Sequence, residues 1–200
     1  MDFFGLDIDL LSDVYVPRED TYLLLNVLED KISDDYKVLD IGTGTGLIAL
    51  FAAEMCQEVV GVDINDKAVN LAKHNASKNK IENVRFIQSN LFEEVEGRFD
   101  LVVFNPPYLP GNGYDEKIPG SEQWFGGEDG ISVIRDFSKE VENHLSESGT
   151  ILLLISSVTG LRDTKDLFVD GGFEVEVVKK KKIPWETLFV LEISPKTQKN

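Results

Sequence analysis

The sequence predicts a doubly wound α/β domain: a seven-stranded, mostly parallel sheet with helices on both faces and a C-terminal antiparallel hairpin at one edge. Three observations carry this. Short runs that are apolar at nearly every position alternate with segments of helical periodicity, and strands apolar on both sides belong in a sheet covered on both faces. A glycine-rich turn follows the first such run, where an α/β sheet passes from strand to helix. The last two runs are joined only by Lys179–Thr187, too short for a crossover helix, so they pair antiparallel.

The elements follow in order. Residues 1–200 read as one domain, with 1–30 an N-terminal helical segment packed on it. Pro17 to Thr21 reads as a helix start, with proline at the first helical position and acids in the first turn. Tyr36–Ile41 is the first strand, and the apolar, alanine-containing Leu47–Glu54 a packed helix. Glu58–Asp63 is the second strand. Asp66–Asn79 places Ala68, Val69, Leu71, Ala72 and Ala76 at helical spacing. Val84–Gln88 and Phe99–Phe104 are the third and fourth strands. Ile131–Leu145 reads as a helix through Ile131, Ile134, Phe137, Val141 and Leu145. Thr150–Ile155 is the fifth strand, Asp163–Val169 a helix stopped by Gly171 and Gly172, and Phe173–Val178 and Leu188–Ile193 the last two strands. Lys179 to Lys182 fall in the final connection, either as a solvated turn or as a contact for an acidic partner.

Bulk composition narrows the partners. Thirty-six acids against twenty bases give a net charge of −16, which repels a phosphate backbone and suits a basic partner. No apolar run approaches the ~20 residues that cross a bilayer. The opening MDFFGLDIDLL is acidic where a signal peptide would be basic, so a cytoplasmic protein without membrane contact is expected. The single cysteine, Cys56, excludes an internal disulfide and a cysteine-rich metal site. His74 and His144 lie far apart without ligand spacing and read as surface or packing residues, so no metal is expected.

The stretch VLDIGTGTGLIAL sets Asp40, Gly42, Gly44 and Gly46 between strand and helix. Glycines let a ligand approach the backbone, and the helix start favours an anionic group. Asp63 ends the next strand, where a carboxylate can accept from both hydroxyls of a ribose. Glycine spacing alone leaves a dinucleotide open, because the run from Gly44 to Ala49 satisfies its looser form. Asp40 argues against it, since a carboxylate so close to the turn repels a pyrophosphate. It can instead bind the ammonium of an amino acid end, directly or through water. S-adenosylmethionine therefore fits the turn better than NAD. Asn90 and Leu91, after the third strand, flank the adenine in this architecture: Asn90 as an acceptor, Leu91 through its backbone N–H. Asn90 also reads as an ordinary helix cap.

The fourth strand stops abruptly in LVVFNPPYLP, because prolines cannot donate to a sheet ladder. The Asn105 side chain can accept one N–H of a planar NH₂ group and the Pro106 carbonyl the other. Pro107 stiffens the turn, and Tyr108 offers a ring face. Such a set suits adenine, cytosine or glutamine. Both acceptors align the nitrogen with a methyl donor and push electron density back onto it. No strong base is evident, so the proton leaves to water after transfer.

LDIGTGTG followed by VFNPPY resembles the class I, Rossmann-like S-adenosylmethionine-dependent methyltransferases that act on planar nitrogen. SDVYVPREDTYLLL (Ser12 to Leu25) and SEQWFGGEDG (Ser121 to Gly130) resemble the archaeal and eukaryotic HemK-like release factor glutamine methyltransferases, over roughly Ser12 to Ile193. This resemblance implies methylation of the glutamine side-chain amide in the Gly-Gly-Gln motif of class 1 peptide chain release factors. The alternative is a nucleic-acid adenine N6-methyltransferase, against which stand the negative charge and the lack of room for a target-recognition domain. By resemblance Asn105 and Pro106 hold the amide, Tyr108 borders it, Asp20 faces the substrate pocket, and Thr21, Gly42, Asp63, Asn90 and Leu91 contact the cofactor. Position 90 is commonly acidic in the family, so Asn90 keeps an acceptor but loses charge. A small zinc-binding activator subunit along a sheet edge near Val84–Ile87 is a further implied partner.

Overall fold

The computed structural model describes residues 1–107 and 130–196. Its main sheet has seven strands in the order β5-β4-β3-β6-β7-β9-β8. The first of these strands in the chain, β3 (Lys37–Ile41), lies in the interior of the sheet, pairing in parallel with β4 (Glu58–Asp63) and with β6 (Phe99–Phe104). The chain moves outward through β4 to β5 (Val84–Gln88), then returns across β3 to β6 and β7 (Leu145–Ser156). That reversal on either side of β3 opens a crevice at the carboxyl ends of the strands, where open α/β sheets bind ligands.

Side-chain alternation along the strands feeds two buried layers. Val38, Val59, Leu101, Val103 and Leu152 face one side, against α1 (Glu19–Lys31), α2 (Leu47–Ala53) and α3 (Asp66–Asn79). Leu39, Val60, Val102, Phe104 and Leu153 face the other, against α4 (Ser132–Glu140) and α5 (Leu161–Asp170). Both layers are apolar because the sheet is covered on both faces, as the continuous strand runs require.

The antiparallel C-terminal hairpin is present, but it is longer than its apolar content suggests. β8 spans Phe173–Ile183 and β9 Glu186–Pro195, so Lys179 to Lys182 lie within a strand rather than in a turn. β8 is the sheet edge, and an edge strand needs only one ladder of backbone bonds, which β9 supplies without apolar side chains on its exposed part. Lysines on such an edge discourage pairing with another chain.

Three other departures concern the N-terminal ribbon and two helix ends. The helical expectation for residues 1–30 holds for α1 alone: β1 (Asp2–Phe3) and β2 (Leu6–Asp7) form a small antiparallel ribbon first. Phe4 and Gly5 both take positive φ (55° and 85°), the backbone of a two-residue hairpin turn, and Phe3, Leu6 and Ile8 bury the ribbon against the first layer. Arg18 caps α1 in an extended conformation, so Pro17 stands before the cap instead of at the first helical position. In the second half, α4 ends at Glu140 and Val141–His144 continues as a 3-10 turn, because Leu145 already belongs to β7.

Candidate active site

A cavity of about 500 Å³ occupies the crevice at the strand ends. The turn after β3, the ends of β4 and β6, the residues after β5 and the segment leading into α1 all line it. Of the residues singled out from the sequence, Asp20, Thr21, Gly42, Gly44, Asp63, Asn90, Leu91, Asn105, Pro106 and Pro107 share this one wall. Asp40 and Gly46 do not line it. Tyr108 lies outside the described residues, as do Ser121 to Asp129.

Asp40 and Gly46 build the turn from behind. Asp40 is completely buried and its Oδ2 accepts the Thr43 hydroxyl at 2.6 Å, tying the turn to the strand. Burial pushes its carboxyl up to about 7; the Thr43 hydrogen bond opposes this and the nearby Asp63 adds to it. Gly46 precedes α2 at φ 83°, and a Cβ there would sit 2.9 Å from the Cβ of Ala72 on α3. Its job is close packing of turn against helix.

Asp63 is held open toward the cavity. Its Oδ2 accepts from the Gly44 N–H and its Oδ1 from the Asn65 N–H, both at 2.9 Å. Burial raises its pKa, and these two backbone donors work against that rise. Each oxygen keeps a lone pair for a further donor, the arrangement a pair of ribose hydroxyls requires. Beyond β5, Leu91 takes φ 49°, and Ser89 Oγ donates to its carbonyl at 3.0 Å. Residues 91–94 form turns, so Asn90 is no helix cap. Its Nδ2 donates to Glu93 Oε1 at 3.0 Å, which leaves the amide oxygen as an outward acceptor.

At the end of β6, Asn105 meets the N-terminal segment. Its Nδ2 donates to Asp20 Oδ2 at 3.3 Å, the same oxygen that takes the Tyr15 hydroxyl at 2.6 Å. Asp20 Oδ1 accepts the Thr21 backbone N–H at 2.7 Å and its hydroxyl at 3.3 Å. Asn105 Oδ1 is buried and has no hydrogen-bond partner. An orphaned buried acceptor costs about 1–3 kcal/mol; Asp40 Oδ1 and His144 Nδ1 also lack a partner, but of the three residues it is Asn105 that lines the cavity, where a ligand can supply the missing donor.

Sequence reasoning missed the residues that strap the N-terminal segment down. Asn75, fully buried on α3, accepts from the Asp9 N–H at 2.9 Å. Its Nδ2 donates to the Asp9 carbonyl at 3.1 Å and to the Thr45 carbonyl of the glycine turn at 2.9 Å. Asn79 repeats the pairing on Asp7, at 2.9 and 3.0 Å. Lys67 Nζ lies 2.6 Å from Asp13 Oδ2, and Asn65 Nδ2 donates to the Asp13 carbonyl. The only available signal was four-residue spacing of two asparagines on one helix, which ordinarily means a solvated face. Neither histidine joins the site: His144 stacks on Phe92 at 4.6 Å and His74 pairs with Asp9. No cluster able to hold a metal occurs among the described residues.

The family model for the methyltransferase small domain matches residues 18–120, which carry the glycine turn, Asp63 and Asn105. A Methanocaldococcus jannaschii protein, provisionally named a protein N5-glutamine methyltransferase, is 43% identical over 190 residues, 94% of each chain. The chain belongs to the HemK-like small-domain methyltransferases. A Fusobacterium nucleatum release factor glutamine methyltransferase is 31% identical over 90% of this chain, and the matched part spans 54% of that protein's length. Among solved structures, a chain of the E. cuniculi Mtq2–Trm112 complex superposes with a TM-score of 0.74 at 27% identity. That match covers 92% of this chain and 99% of the other, and the complex is described as responsible for methylating the termination factor eRF1.

As a methyltransferase of this class, the protein uses S-adenosylmethionine. The site fits it: the cavity has the size of a small-molecule site, Asp63 presents two acceptors, and the glycine turn brings backbone close to the ligand. The expected Rossmann-like sheet with its antiparallel hairpin is the fold observed.

Proposed function

We propose that this methyltransferase, a single domain over residues 1–200, methylates the side-chain amide nitrogen of the glutamine in the Gly-Gly-Gln motif of a class 1 peptide chain release factor. The observation that carries the reading is Asn105 Oδ1, an acceptor without a partner at the edge of the cofactor cavity. The names of the relatives supply the substrate class, which the geometry of a planar NH₂ acceptor does not choose.

Bound in the cavity, S-adenosylmethionine supplies a methyl group on a positively charged sulfur. Thr21, Gly42, Gly44, Asp63, Asn90 and Leu91 hold and orient it, and Asp40 acts indirectly by keeping the glycine turn in shape. Asn105 Oδ1 accepts one N–H of the glutamine amide and the Pro106 carbonyl the other, with Pro107 and Tyr108 bordering the group. Each accepted hydrogen bond returns electron density to a nitrogen whose lone pair is otherwise delocalised into its carbonyl. Held this way, the glutamine nitrogen would be aligned with the electrophilic methyl group that S-adenosylmethionine would supply, and its surplus proton would pass to water. Positioning and acceptor dipoles supply the rate, with no general base required.

Among the described residues β5 has a strand on one side only, and that edge supports a small zinc-binding activator subunit as a partner, added as a strand beside Val84–Gln88. Such a substrate places the work in the cytoplasm. No helix among the described residues is long and apolar enough to cross a membrane.

The test is transfer of labelled methyl from S-adenosylmethionine to a purified release factor, with and without the activator, beside a form whose motif glutamine is changed to asparagine and beside duplex DNA. Label on the unchanged factor alone is expected. Undiminished label on the changed factor, or label on adenine, would overturn the reading.

A further inference from the structure

We propose that Asp20 and Tyr15 are positioning residues that fix which end of the Asn105 amide faces the substrate. An asparagine side chain is nearly symmetric in shape but not in chemistry. With its oxygen outward it accepts from a substrate NH₂; with its nitrogen outward it meets that NH₂ donor to donor. Nothing in Asn105 itself chooses between the two.

Asp20 makes the choice. Only 3% of Asp20 is exposed, and its carboxylate is an acceptor surrounded by donors. Oδ1 is occupied by the Thr21 N–H at 2.7 Å and the Thr21 hydroxyl at 3.3 Å. Oδ2 takes the Tyr15 hydroxyl at 2.6 Å and still faces Asn105 at 3.3 Å. A carboxylate oxygen beside an amide selects the NH₂ end, so Asn105 Oδ1 is turned away from it. That oxygen is buried and without a partner at the cavity. Tyr15 anchors Asp20 Oδ2 and so sets the angle at which Asn105 is met.

Asp20 and Tyr15 come from the segment that Asn65, Lys67 and Asn75 strap across the cavity. That segment therefore contributes to chemistry on β6, 85 residues further along the chain. Asp20 thereby serves the substrate through Asn105, rather than by touching it.

The inference rests on the glutamine reading above and is tested separately from it. In Asp20→Asn the shape is kept and Thr21 can still donate to the remaining oxygen. The carboxamide nitrogen now faces Asn105 as a donor, and Asn105 rotates its oxygen inward to meet it. A donor then faces the substrate. The expected result is a fall in kcat on the order of 100-fold, as for loss of one hydrogen bond made to the reacting group, with the Kd for S-adenosylmethionine unchanged. Tyr15→Phe is expected to lower kcat several-fold, again without a change in that Kd.

The decisive arm is the exchange Asp20→Asn with Asn105→Asp. It reverses donor and acceptor across the pair while again presenting an oxygen to the substrate. Partial recovery of kcat above either single variant is expected, because Asn105→Asp alone sets two carboxylates against each other. Full activity of Asp20→Asn, or a double variant no better than the worse single one, would overturn the inference. A wild-type enzyme that never labels glutamine would instead overturn the proposed function.

Discussion

Replacing Asp40 with asparagine should make the protein less sensitive to alkaline conditions. The Asp40 carboxyl is fully buried and raised from an ordinary value near 3.8 to about 7, with burial the main cause. Between those two values the unfolded chain releases this proton while the folded chain keeps it. The stabilising contribution is therefore fully present below the unfolded value and is lost as pH rises through about 7. At about 1.4 kcal/mol per unit, the whole window amounts to about 4 kcal/mol. The sequence pI near 4.5 makes acidic measurements impractical, so the useful range starts at about pH 5, leaving roughly 2.5 kcal/mol of change up to about pH 8. Asp40→Asn retains an oxygen for the Thr43 hydroxyl and has no proton to lose. The assay is urea unfolding of both proteins across that range. Stability of the variant minus that of the wild type should climb by roughly 2.5 kcal/mol, since the titrating groups other than Asp40 and its neighbour Asp63 cancel between the two proteins. A difference that stays flat with pH would refute the reasoning.

Gly61→Ala should destabilise the fold by about 1–3 kcal/mol in the same urea assay, because its Cβ would fall 2.6 Å from two ring carbons of the buried Phe86. Asn75→Leu removes the two bonds to Asp9 and the one to Thr45; a loss of about 2–4 kcal/mol and faster proteolysis within residues 1–18 are expected. Asn105→Ala should bind S-adenosylmethionine normally by calorimetry while transfer falls at least about 100-fold. Changing Lys180 and Lys182 to valine should convert β8 into a sticky edge, read as concentration-dependent self-association by sedimentation.

The parts of the fold legible in the sequence were those whose side chains are buried. β3, β4 and β6 read clearly because Val38, Val60 and Val102 and their neighbours pack on both faces. The outer half of β8 did not, since Lys179 to Lys182 are exposed and held by backbone bonds to β9, which no side-chain pattern reports. The β1–β2 ribbon was hidden because two-residue strands are too short to show a period, and Phe4-Gly5 is an unusual turn pair. Within the site, Gly44, Asp63 and Asn105 stood out because their chemistry depends on place along a strand–turn–helix unit. Asp40 was found, but its burial, invisible in the sequence, sets it behind the residues that line the cavity. Tyr15 stood within the SDVYVPREDTYLLL stretch but its bond to Asp20 was not legible there, and Asn75 acts across 66 residues with no motif around it, so only the folded chain brings these contacts into view.

The most direct test of the central claim is tandem mass spectrometry of a release factor after incubation with the enzyme and S-adenosylmethionine. One added methyl on the side-chain nitrogen of the Gly-Gly-Gln glutamine, absent when Asn105→Ala replaces the wild-type enzyme, is the predicted result. A methyl on any other residue, or one that persists with Asn105→Ala, would contradict the account.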